Sequence, residues 1–287
     1  MSISISVRNL SYTYTENAMS RQAALNDVSF DIKKGEIVGI VGHTGSGKST
    51  LVQHLNGLIR CDKGHIFVNG TDIWENPKKI SEFRYKVGLV FQYPEYQLFE
   101  ESAYKDIAYG PKNMGLSDSE TDSRVRLAAD FVGIKPDQLA CSPFDFSGGQ
   151  KRRIAIAGVI AMQPEVLVLD EPSAGLDPGG RKRVFELISS YRARTGATVI
   201  VVSHNMDDIA AYADRVLVLN NGRVAAFDTP ENVFSDAAAI SACSLDLPAA
   251  ARIAEGLRKN GIDIPKGTLT VEQLKNALLP LLKGGAV

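Results

Sequence analysis

Hydrophobic residues in this chain are concentrated in short runs that predict β-strands. Three of these runs, "IVGIV", "VLVLD" and "TVIVVS", are apolar with almost no alternation. A strand that is buried on both faces gives this pattern, as in a parallel sheet covered by helices. The sequence therefore predicts an α/β core. The predicted strands are Ile3–Val7, Val28–Ile32, Ile37–Val41, Val87–Phe91, Val166–Asp170, Thr198–Ser203 and Val216–Leu219.

Other runs predict antiparallel hairpins beside this core. The earliest runs alternate apolar and polar residues, and "RVLVLNNGRVAAF" contains the dipeptide Asn221-Gly222. Asn-Gly between two apolar runs favours a tight two-residue turn. We therefore expect an antiparallel β subdomain attached to one side of the parallel sheet.

The middle of the chain has the periodicity of helices. Apolar residues recur at helical spacing from Glu101 to Phe146, with an interruption at Gly110-Pro111. Ser117 begins a polar, acidic lead-in to a helix. The pattern predicts a helical subdomain, at about residues 101–160, inserted in the α/β core.

The last part of the chain is rich in alanine and leucine and predicts further helices. Pro248 can open one helix, in which Ile253 and Leu257 share a face. Thr270 and Gln273 have the spacing of a capping box for another helix, which carries a leucine stripe. The stripes either fill the core of a small helical appendix or form a docking face for another subunit.

Composition and charge narrow the class of protein. A net charge of −1 gives no sign of a nucleic-acid partner, and the basic clusters Lys151–Arg153 and Arg181–Arg183 are interpreted as solvated helix faces. The cysteines Cys61, Cys141 and Cys243 are far apart, which indicates a reduced, cytosolic compartment without structural zinc. The first residues do not predict a signal peptide, and no uncharged apolar run reaches the ~20 residues that span a bilayer.

The segment "GHTGSGKS" matches G-x-x-x-x-G-K-[ST], the pattern of a phosphate-binding loop. An apolar strand precedes it and an amphipathic segment, Thr50–Leu58, follows it, as such a loop requires. The glycines allow positive φ, so backbone N–H groups can point at phosphate oxygens. Lys48 is expected to reach the β- and γ-phosphates, and the Ser49 hydroxyl to bind Mg²⁺. The predicted nucleotide-binding residues of the loop are Gly42, His43, Thr44, Gly45, Ser46, Gly47, Lys48, Ser49 and Thr50.

The strand "VLVLD" is followed by a pair of acids that suit this loop. Asp170 is expected at the sheet edge near the Mg²⁺. Glu171 follows, where a carboxylate can orient or deprotonate an attacking water. The two acids could instead mark the start of a helix, where acidic residues are favoured. The phosphate loop favours the catalytic interpretation.

Together these motifs resemble the ATP-binding-cassette (ABC) ATPases, a family of P-loop NTPases, from Ile3 to about Phe234. "FSGGQ", at Phe146–Gln150, resembles the LSGGQ signature loop of that family. In the family two subunits face each other head to tail, and the signature loop of one covers the ATP on the phosphate loop of the other. The resemblance implies that the residues acting on a partner's ATP are Ser147, Gly148, Gly149 and Gln150.

Other positions match the family in the same order. Gln92 in "VFQYPEYQLF" matches the glutamine that contacts Mg²⁺ and the attacking water, and His204 matches the histidine that hydrogen-bonds the γ-phosphate. Asp177 in "SAGLD" matches the loop that communicates across the dimer. Tyr14 matches the aromatic residue that stacks on adenine, with Tyr12, on the same side of its strand, as the alternative. The resemblance thus implies bound ATP and Mg²⁺, the catalytic residues Glu171, His204 and Gln92, and the metal ligands Ser49, Gln92 and Asp170.

A narrower resemblance is to the ATPases of energy-coupling factor transporters, which import vitamins and metal ions in bacteria. It rests on "GHTGSGKSTLVQHLNGL", "FQYPEYQLF" and the tail segment Leu245–Pro265. The polar stretch Thr15–Ala24, longer than a tight connection requires, together with the phosphate loop resembles the second of two paralogous ATPases. The resemblance implies an ABC ATPase domain at residues 1–235 and a helical appendix for pairing or docking at residues 236–287.

In that branch two ATPases, often paralogues, dock on a membrane T subunit that carries a substrate-binding S subunit. The resemblance implies that this chain binds a second ATPase, either a paralogue or an identical copy, and no nucleic acid. It places the chain on the cytoplasmic face of the bacterial membrane, without a transmembrane segment. Two other hypotheses are an ABC-type ATPase acting on ribosomes or nucleic acid, and a switch that binds ATP without turnover. Glu171 argues against the switch.

Overall fold

The structure of this chain is a computed structural model that describes residues 2–17 and 20–284. Within these residues the chain forms a six-stranded and a four-stranded β-sheet. The strands are β1 (Ile3–Asn17), β2 (Ser20–Lys33), β3 (Ile37–Val41), β4 (Lys63–Val68), β5 (Thr71–Asp72), β6 (Val87–Val90), β7 (Val166–Asp170), β8 (Thr198–Val202), β9 (Arg215–Asn220) and β10 (Arg223–Asp228). The helices are α1 (Lys48–Leu55), α2 (Ile80–Lys86), α3 (Ala103–Asn113), α4 (Asp118–Phe131), α5 (Gly148–Ile160), α6 (Pro178–Thr195), α7 (Met206–Tyr212), α8 (Pro230–Val233), α9 (Ala237–Ala242), α10 (Ala249–Lys259) and α11 (Val271–Gly284).

The larger sheet forms the centre of the fold. Its strand order is β10-β9-β3-β8-β7-β6, and all of its strands except β10 run parallel. Every residue of β3, β7 and β8 is buried, which explains why their sequences show almost no alternation. The structure confirms the predicted α/β core with a parallel sheet.

The two faces of this sheet belong to two different apolar cores. Ile37 and Val41 of β3 lie in a core with residues of α3, α4, α5 and α6. Val38 and Ile40 of the same strand lie in a second core, with the smaller sheet and α1. A strand between two cores must be apolar on both faces, and each fully buried side chain of this kind contributes roughly 1.5–3 kcal/mol. The two cores therefore hold the central strands from both faces of the sheet.

The smaller sheet is antiparallel, and its first two strands are longer than the sequence predicts. β1 and β2 pair as far as Asn17 and Ser20. The stretch Thr15–Ala24, predicted as a polar connection, is therefore mostly strand; Ala18 and Met19 within it lie outside the described residues. The prediction was wrong because alternation of hydrophobic residues marks only strands with a buried face. A polar segment can also form a strand when its backbone pairs with a neighbour, and its sequence then shows no such alternation.

Two strands of this sheet, β4 and β5, are missing from the sequence prediction. They are joined by Asn69 and Gly70, which both have positive φ. Gly64 in β4 has a φ of 92°, and a Cβ there would lie 2.4 Å from the carbonyl oxygen of Arg8. The close pairing of β4 with β1 therefore requires a glycine at this position. Glycine is uncommon inside strands, so a prediction based on residue propensity does not find β4.

The hairpin predicted at Asn221-Gly222 is present. Both residues have positive φ, 48° and 73°, as a tight turn of the primed type requires. However, β9 is a parallel member of the larger sheet. This hairpin therefore extends the edge of the core sheet and does not join the antiparallel subdomain.

Helices α3, α4 and α5 fill the predicted helical region. The interruption predicted at Gly110-Pro111 is wrong, because α3 continues to Asn113. Pro111 is a buried residue of the last turn, and a Cβ on Gly110 would lie 2.6 Å from the Met162 side chain, so packing outweighs the low helix propensity of these two residues. The helix predicted after Ser117 is present, and the Ser117 hydroxyl accepts a hydrogen bond from the N–H of Glu120 at 3.3 Å.

The C-terminal segment forms α9, α10 and α11. Pro248 precedes α10, and Thr270 and Gln273 exchange the predicted capping-box hydrogen bonds at 2.9 and 3.2 Å. Ile253, predicted to share an apolar face with Leu257, is 53% exposed. In the part of the chain that the structure describes, no helix has the length and apolar character to cross a membrane. A small core of this segment consists of Ala250, Ala254, Ile264 and Leu274, with Leu257, Ala277 and Leu278 packed against it.

Candidate functional site

The phosphate loop connects the buried strand β3 to α1. Gly47 precedes the helix with a φ of 103°, and a Cβ on Gly42 would lie 2.3 Å from the carbonyl oxygen of Leu219. The Lys48 ammonium is buried and donates to the carbonyl oxygens of Gly42 and His43 at 2.7 and 3.0 Å. The phosphate loop therefore wraps around the Lys48 side chain. Burial lowers the pKa of Lys48, although the nearby carboxylates oppose this shift.

Two buried carboxylates lie at the end of β7. Asp170 ends the strand, and Glu171 follows with a φ of 50°, an uncommon conformation for a residue with a side chain. The Glu171 N–H donates to the carbonyl oxygen of Val202 at 3.0 Å, which ties this turn to β8. Burial raises the pKa of Asp170, opposed by a hydrogen bond from Ser49. Burial raises the pKa of Glu171 to about 7, and the charge of Asp170 adds to the shift.

His204 faces Glu171 from the loop that follows β8. Its backbone N–H donates to Glu171 Oε2 at 3.4 Å, and its Nε2 lies 3.2 Å from Glu171 Oε1, outside hydrogen-bonding geometry. Burial and the Lys48 ammonium lower the pKa of His204. Oε1 is buried and has no hydrogen-bond partner among the described residues. The chain itself therefore leaves part of the hydrogen-bonding capacity of this carboxylate unused.

Most of the predicted nucleotide-binding and catalytic residues line one cleft of about 330 Å³ at the carboxyl edge of the larger sheet. Gly42, His43 and Ser46 of the phosphate loop do not line it. Ala23 and Ala24 of β2 do line it, and the sequence does not predict them because small apolar residues carry no chemical signal. The lining residues are Tyr14, Ala23, Ala24, Thr44, Gly45, Gly47, Lys48, Ser49, Thr50, Gln92, Asp170, Glu171 and His204.

The structure separates the two tyrosines that the sequence leaves as alternatives for adenine stacking. Tyr14 lines the cleft, is 37% exposed, and places its hydroxyl 3.3 Å from Thr50 Oγ1. Tyr12 does not line the cleft and packs partly buried against the core. Tyr14 is therefore the aromatic residue with a surface available to a ligand.

The donors in the cleft suit a magnesium ion that arrives with a nucleotide. The Asp170 carboxylate and the Ser49 hydroxyl lie together, and Gln92 faces the same cleft. Mg²⁺ in such sites takes one or two protein oxygens, phosphate oxygens and water. The described residues hold no cluster of three or more His, Cys, Asp or Glu side chains that would bind a metal alone. The donor set thus fits the predicted metal, provided that phosphate completes the coordination.

The signature loop lies elsewhere, at the start of α5. Ser147 caps this helix: its hydroxyl accepts from the N–H of Gln150 at 3.4 Å, and its own N–H donates to Gln150 Oε1 at 3.1 Å. Ser147, Gly148 and Gly149 are exposed, and none lines the cleft. Asp177 caps α6 and is also exposed. The predicted site residues thus fall into two groups. One group lines the cleft, and the other lies at the exposed starts of α5 and α6.

One basic residue near the signature loop is buried, contrary to the sequence interpretation. Arg152 was predicted on a solvated helix face, yet it is 4% exposed. Its guanidinium donates to both Glu95 carboxylate oxygens at 3.0 and 2.8 Å, and to the carbonyl oxygens of Pro172 and Ala174. The arginine therefore connects α5 to the segment after Gln92 and to the loop after Glu171.

Comparison with known proteins identifies the family. The profile of the family "ABC transporter" matches residues 25–174. The chain is 48% identical over 280 residues, 98% of both chains, to "Energy-coupling factor transporter ATP-binding protein EcfA2" of Caldanaerobacter subterraneus subsp. tengcongensis. It is 49% identical over 284 residues, 98% of this chain and 99% of the other, to the protein of the same name in Clostridioides difficile.

Solved structures agree with this likeness. The structure of cbiO1 from Clostridium perfringens, part of the ABC transporter complex cbiONQ, matches with a TM-score of 0.75 and 36% identity. The match covers 89% of this chain and 100% of cbiO1. The dimeric ATP-binding cassette MJ0796 bound to ADP and phosphate matches with a TM-score of 0.71 and 25% identity, over 79% of this chain and 98% of MJ0796. The chain therefore belongs to the ABC transporter family and, within it, to the ATP-binding proteins of energy-coupling factor transporters.

Proposed function

We propose that this chain powers an energy-coupling factor transporter and that a second ATPase subunit completes its active site. Membership of the family makes the chain an ATPase whose hydrolysis of ATP is coupled to transport. The observation that carries the proposal is the separation of the site residues between a cleft at the sheet edge and an exposed loop at the start of α5.

Phosphate binding is assigned to the loop between β3 and α1. The buried Lys48 ammonium would contact the β- and γ-phosphates, and the backbone N–H groups of residues 42–50 would surround them. Mg²⁺, held by Ser49, Gln92 and Asp170, would neutralise charge on the phosphates when bound. The Tyr14 ring, which lines the same cleft, would stack on the adenine.

Hydrolysis is assigned to the turn after β7. Glu171 would orient a water molecule in line with the γ-phosphate and accept its proton, since one of its oxygens has no hydrogen-bond partner among the described residues. His204, beside that oxygen, would hydrogen-bond the γ-phosphate. Gln92 would contact both the metal and the water. Most of the rate acceleration then comes from positioning and electrostatic stabilisation.

The second half of the site is assigned to another subunit. The Ser147 hydroxyl and the N–H groups of Gly148 and Gly149 would contact the γ-phosphate bound by the partner, with Gln150 beside them. Asp177, exposed at the start of α6, would lie in the same interface. The dimeric state of MJ0796 bound to ADP and phosphate supports this arrangement. The partner would be a paralogous ATPase or an identical copy, and closure of the pair would complete the site.

The docking site of the membrane subunit is assigned to an apolar groove of about 450 Å³. This groove lies between the segment after Gln92 and the helical region. Phe99 and Tyr109, which meet edge to face at 5.0 Å, are 60% and 50% exposed in this groove, and Leu58 is 43% exposed. Exposed aromatic side chains around a groove mark a site for a partner helix. A T subunit docked here would contact the segment that carries Gln92.

These assignments give the chain its place in the transporter. Residues 1–235 would form the nucleotide-binding domain, with the helical subdomain at about residues 101–160, and residues 236–287 would help to pair the ATPases. The exposed Ile253, Val271 and Leu281 of the appendix support the pairing role. The chain would lie on the cytoplasmic face of the bacterial membrane and drive the uptake of vitamins or metal ions through T and S subunits.

The first prediction concerns Glu171. The substitution Glu171→Gln keeps the shape of the side chain and removes its basicity, so ATP should still bind while turnover falls at least about 100-fold. Closed dimers should accumulate in the presence of ATP and Mg²⁺. The measurements are phosphate release, ATP binding and light scattering. Wild-type turnover in this variant would show that Glu171 is not the residue that activates the attacking water.

The second prediction concerns pH. A general base acts only when ionised, and the pKa of Glu171 is raised to about 7 by burial. We therefore expect kcat/KM to rise with pH through about 7 and to level off above it, because kcat/KM reports the free enzyme. ATP binding by the Glu171→Gln variant over the same pH range gives the reference, since that variant lacks the carboxyl group. A flat profile from about pH 6 to about pH 8 contradicts the assignment.

The third prediction tests the shared site. Apart from its chain neighbours and the backbone of its own helix, no described atom lies within 4 Å of a Cβ built on Gly148, so Gly148→Val fits within its own subunit. The free energy of unfolding and the binding of ATP should stay close to wild type, within about 1 kcal/mol. Turnover should fall at least about 10-fold, because the valine blocks the approach of a partner's phosphate. Full turnover by this variant as a strict monomer would falsify the composite site.

The fourth prediction separates transport from the alternative of an ATPase on ribosomes or nucleic acid. The chain purified from solubilised native membranes should carry hydrophobic T and S subunits. Tyr109→Ser, in the groove, should lose them with ATP binding unchanged. Leu127→Ser is the matched control, because Leu127 is 62% exposed on α4 and does not line the groove. Recovery with ribosomes or DNA and without membrane protein would contradict the transport function.

A further inference from the structure

A buried histidine lies behind the cleft, in the last turn of α1. His54 is fully buried, and its Nδ1 lies 2.7 Å from the carbonyl oxygen of Thr50. The Nε2 atom has no hydrogen-bond partner among the described residues. Since a carbonyl oxygen only accepts, Nδ1 carries the proton and donates to Thr50. Burial lowers the pKa of His54, which keeps this ring neutral.

The ring of Tyr12 lies between this histidine and Tyr14. The Tyr12 and His54 ring centroids are 4.7 Å apart at an interplanar angle of 68°, and the Tyr12 and Tyr14 centroids are 4.9 Å apart at 89°. Edge-to-face pairs at these distances attract each other through the charge distribution of the rings. One aromatic side chain therefore touches both the buried histidine and the exposed tyrosine.

The contacts close into a ring through Thr50. The Tyr14 hydroxyl lies 3.3 Å from Thr50 Oγ1, and His54 donates to the carbonyl oxygen of the same threonine. Tyr14 is thus held at both ends: its ring by the edge contact with Tyr12, and its hydroxyl by the helix that begins at the phosphate loop. Without these two contacts, a partly exposed tyrosine on a strand samples several rotamers.

We propose that Tyr12 and His54 are positioning residues that hold the Tyr14 ring in the orientation that stacks on the adenine base. They raise the affinity for ATP without touching it, because the ring is ordered before the nucleotide arrives. The inference rests on the proposed function of Tyr14. It gives His54, the first residue of the "HLNG" segment after the phosphate loop, a role in recognition of the base and none in the hydrolysis step.

The test uses the full chain in its purified transporter complex. Tyr12→Leu should raise the KM for ATP about three- to ten-fold and leave kcat within about two-fold, since immobilising one side chain accounts for an effect of this size. Tyr12→Phe keeps the ring and should restore the wild-type KM. His54→Leu, which removes the donor to Thr50, should repeat the effect of Tyr12→Leu. A change in kcat with unchanged KM would overturn the proposal.

Inorganic triphosphate separates positioning of the base from damage to the phosphate loop. It has no base, so its inhibition constant against ATP hydrolysis should be the same in the wild type, Tyr12→Leu and His54→Leu. If the affinity for triphosphate falls by the same factor as the affinity for ATP, the contacts act on the phosphate loop and the proposal is wrong.

The variant Tyr14→Ala distinguishes this failure from that of the proposed adenine contact. A KM for ATP that is unchanged in Tyr14→Ala would show that Tyr14 does not bind the base. This result would contradict both the adenine contact of Tyr14 and the positioning role of Tyr12 and His54. A KM that rises in Tyr14→Ala and stays at the wild-type value in Tyr12→Leu and His54→Leu would overturn only the positioning role.

Discussion

The burial of charge at the carboxyl edge of the parallel sheet is the constraint on which the site depends. Lys48, Asp170 and Glu171 are each buried, and a buried charge costs free energy unless it has partners. The chain supplies some of these partners, namely loop carbonyls for Lys48 and the His204 N–H for Glu171. Even so, burial shifts the pKa of all three groups towards the neutral form. A nucleotide with its divalent cation would supply the charges that balance this cluster.

The fold meets this constraint through the order of its central strands. β3, β8 and β7 are neighbours, and each ends in one part of the site: the phosphate loop, the segment of His204, and the two acids. Because parallel strands end at the same edge, residues distant in sequence meet there. The cores on both faces of the sheet hold these ends in register. Arg152 adds a polar connection, since its buried guanidinium joins the helix of the signature loop to the loop after Glu171.

The parts of the structure that the sequence predicted are those in which a local pattern is enough. Buried strands show unbroken apolar runs, and the phosphate loop has a fixed spacing between glycines and lysine. The errors arose where a distant contact overrides the local signal. Arg152 is buried because Glu95, far away in sequence, faces it. Pro111 stays within α3, where it is buried, and β4 contains a glycine that the neighbouring strand requires.

The glycines of the two loops differ in whether contacts within the chain require them. Those of the phosphate loop are required internally: a Cβ on Gly42 or Gly47 would collide with backbone oxygens at 2.3 and 2.4 Å. Apart from chain neighbours and the backbone of α5, a Cβ added to Gly148 or Gly149 would meet no described atom within 4 Å, and neither residue has a positive φ. No packing contact within the described residues explains these two glycines. They leave the backbone at the start of α5 open to a close approach, as the proposed contact with a phosphate bound by a partner subunit requires.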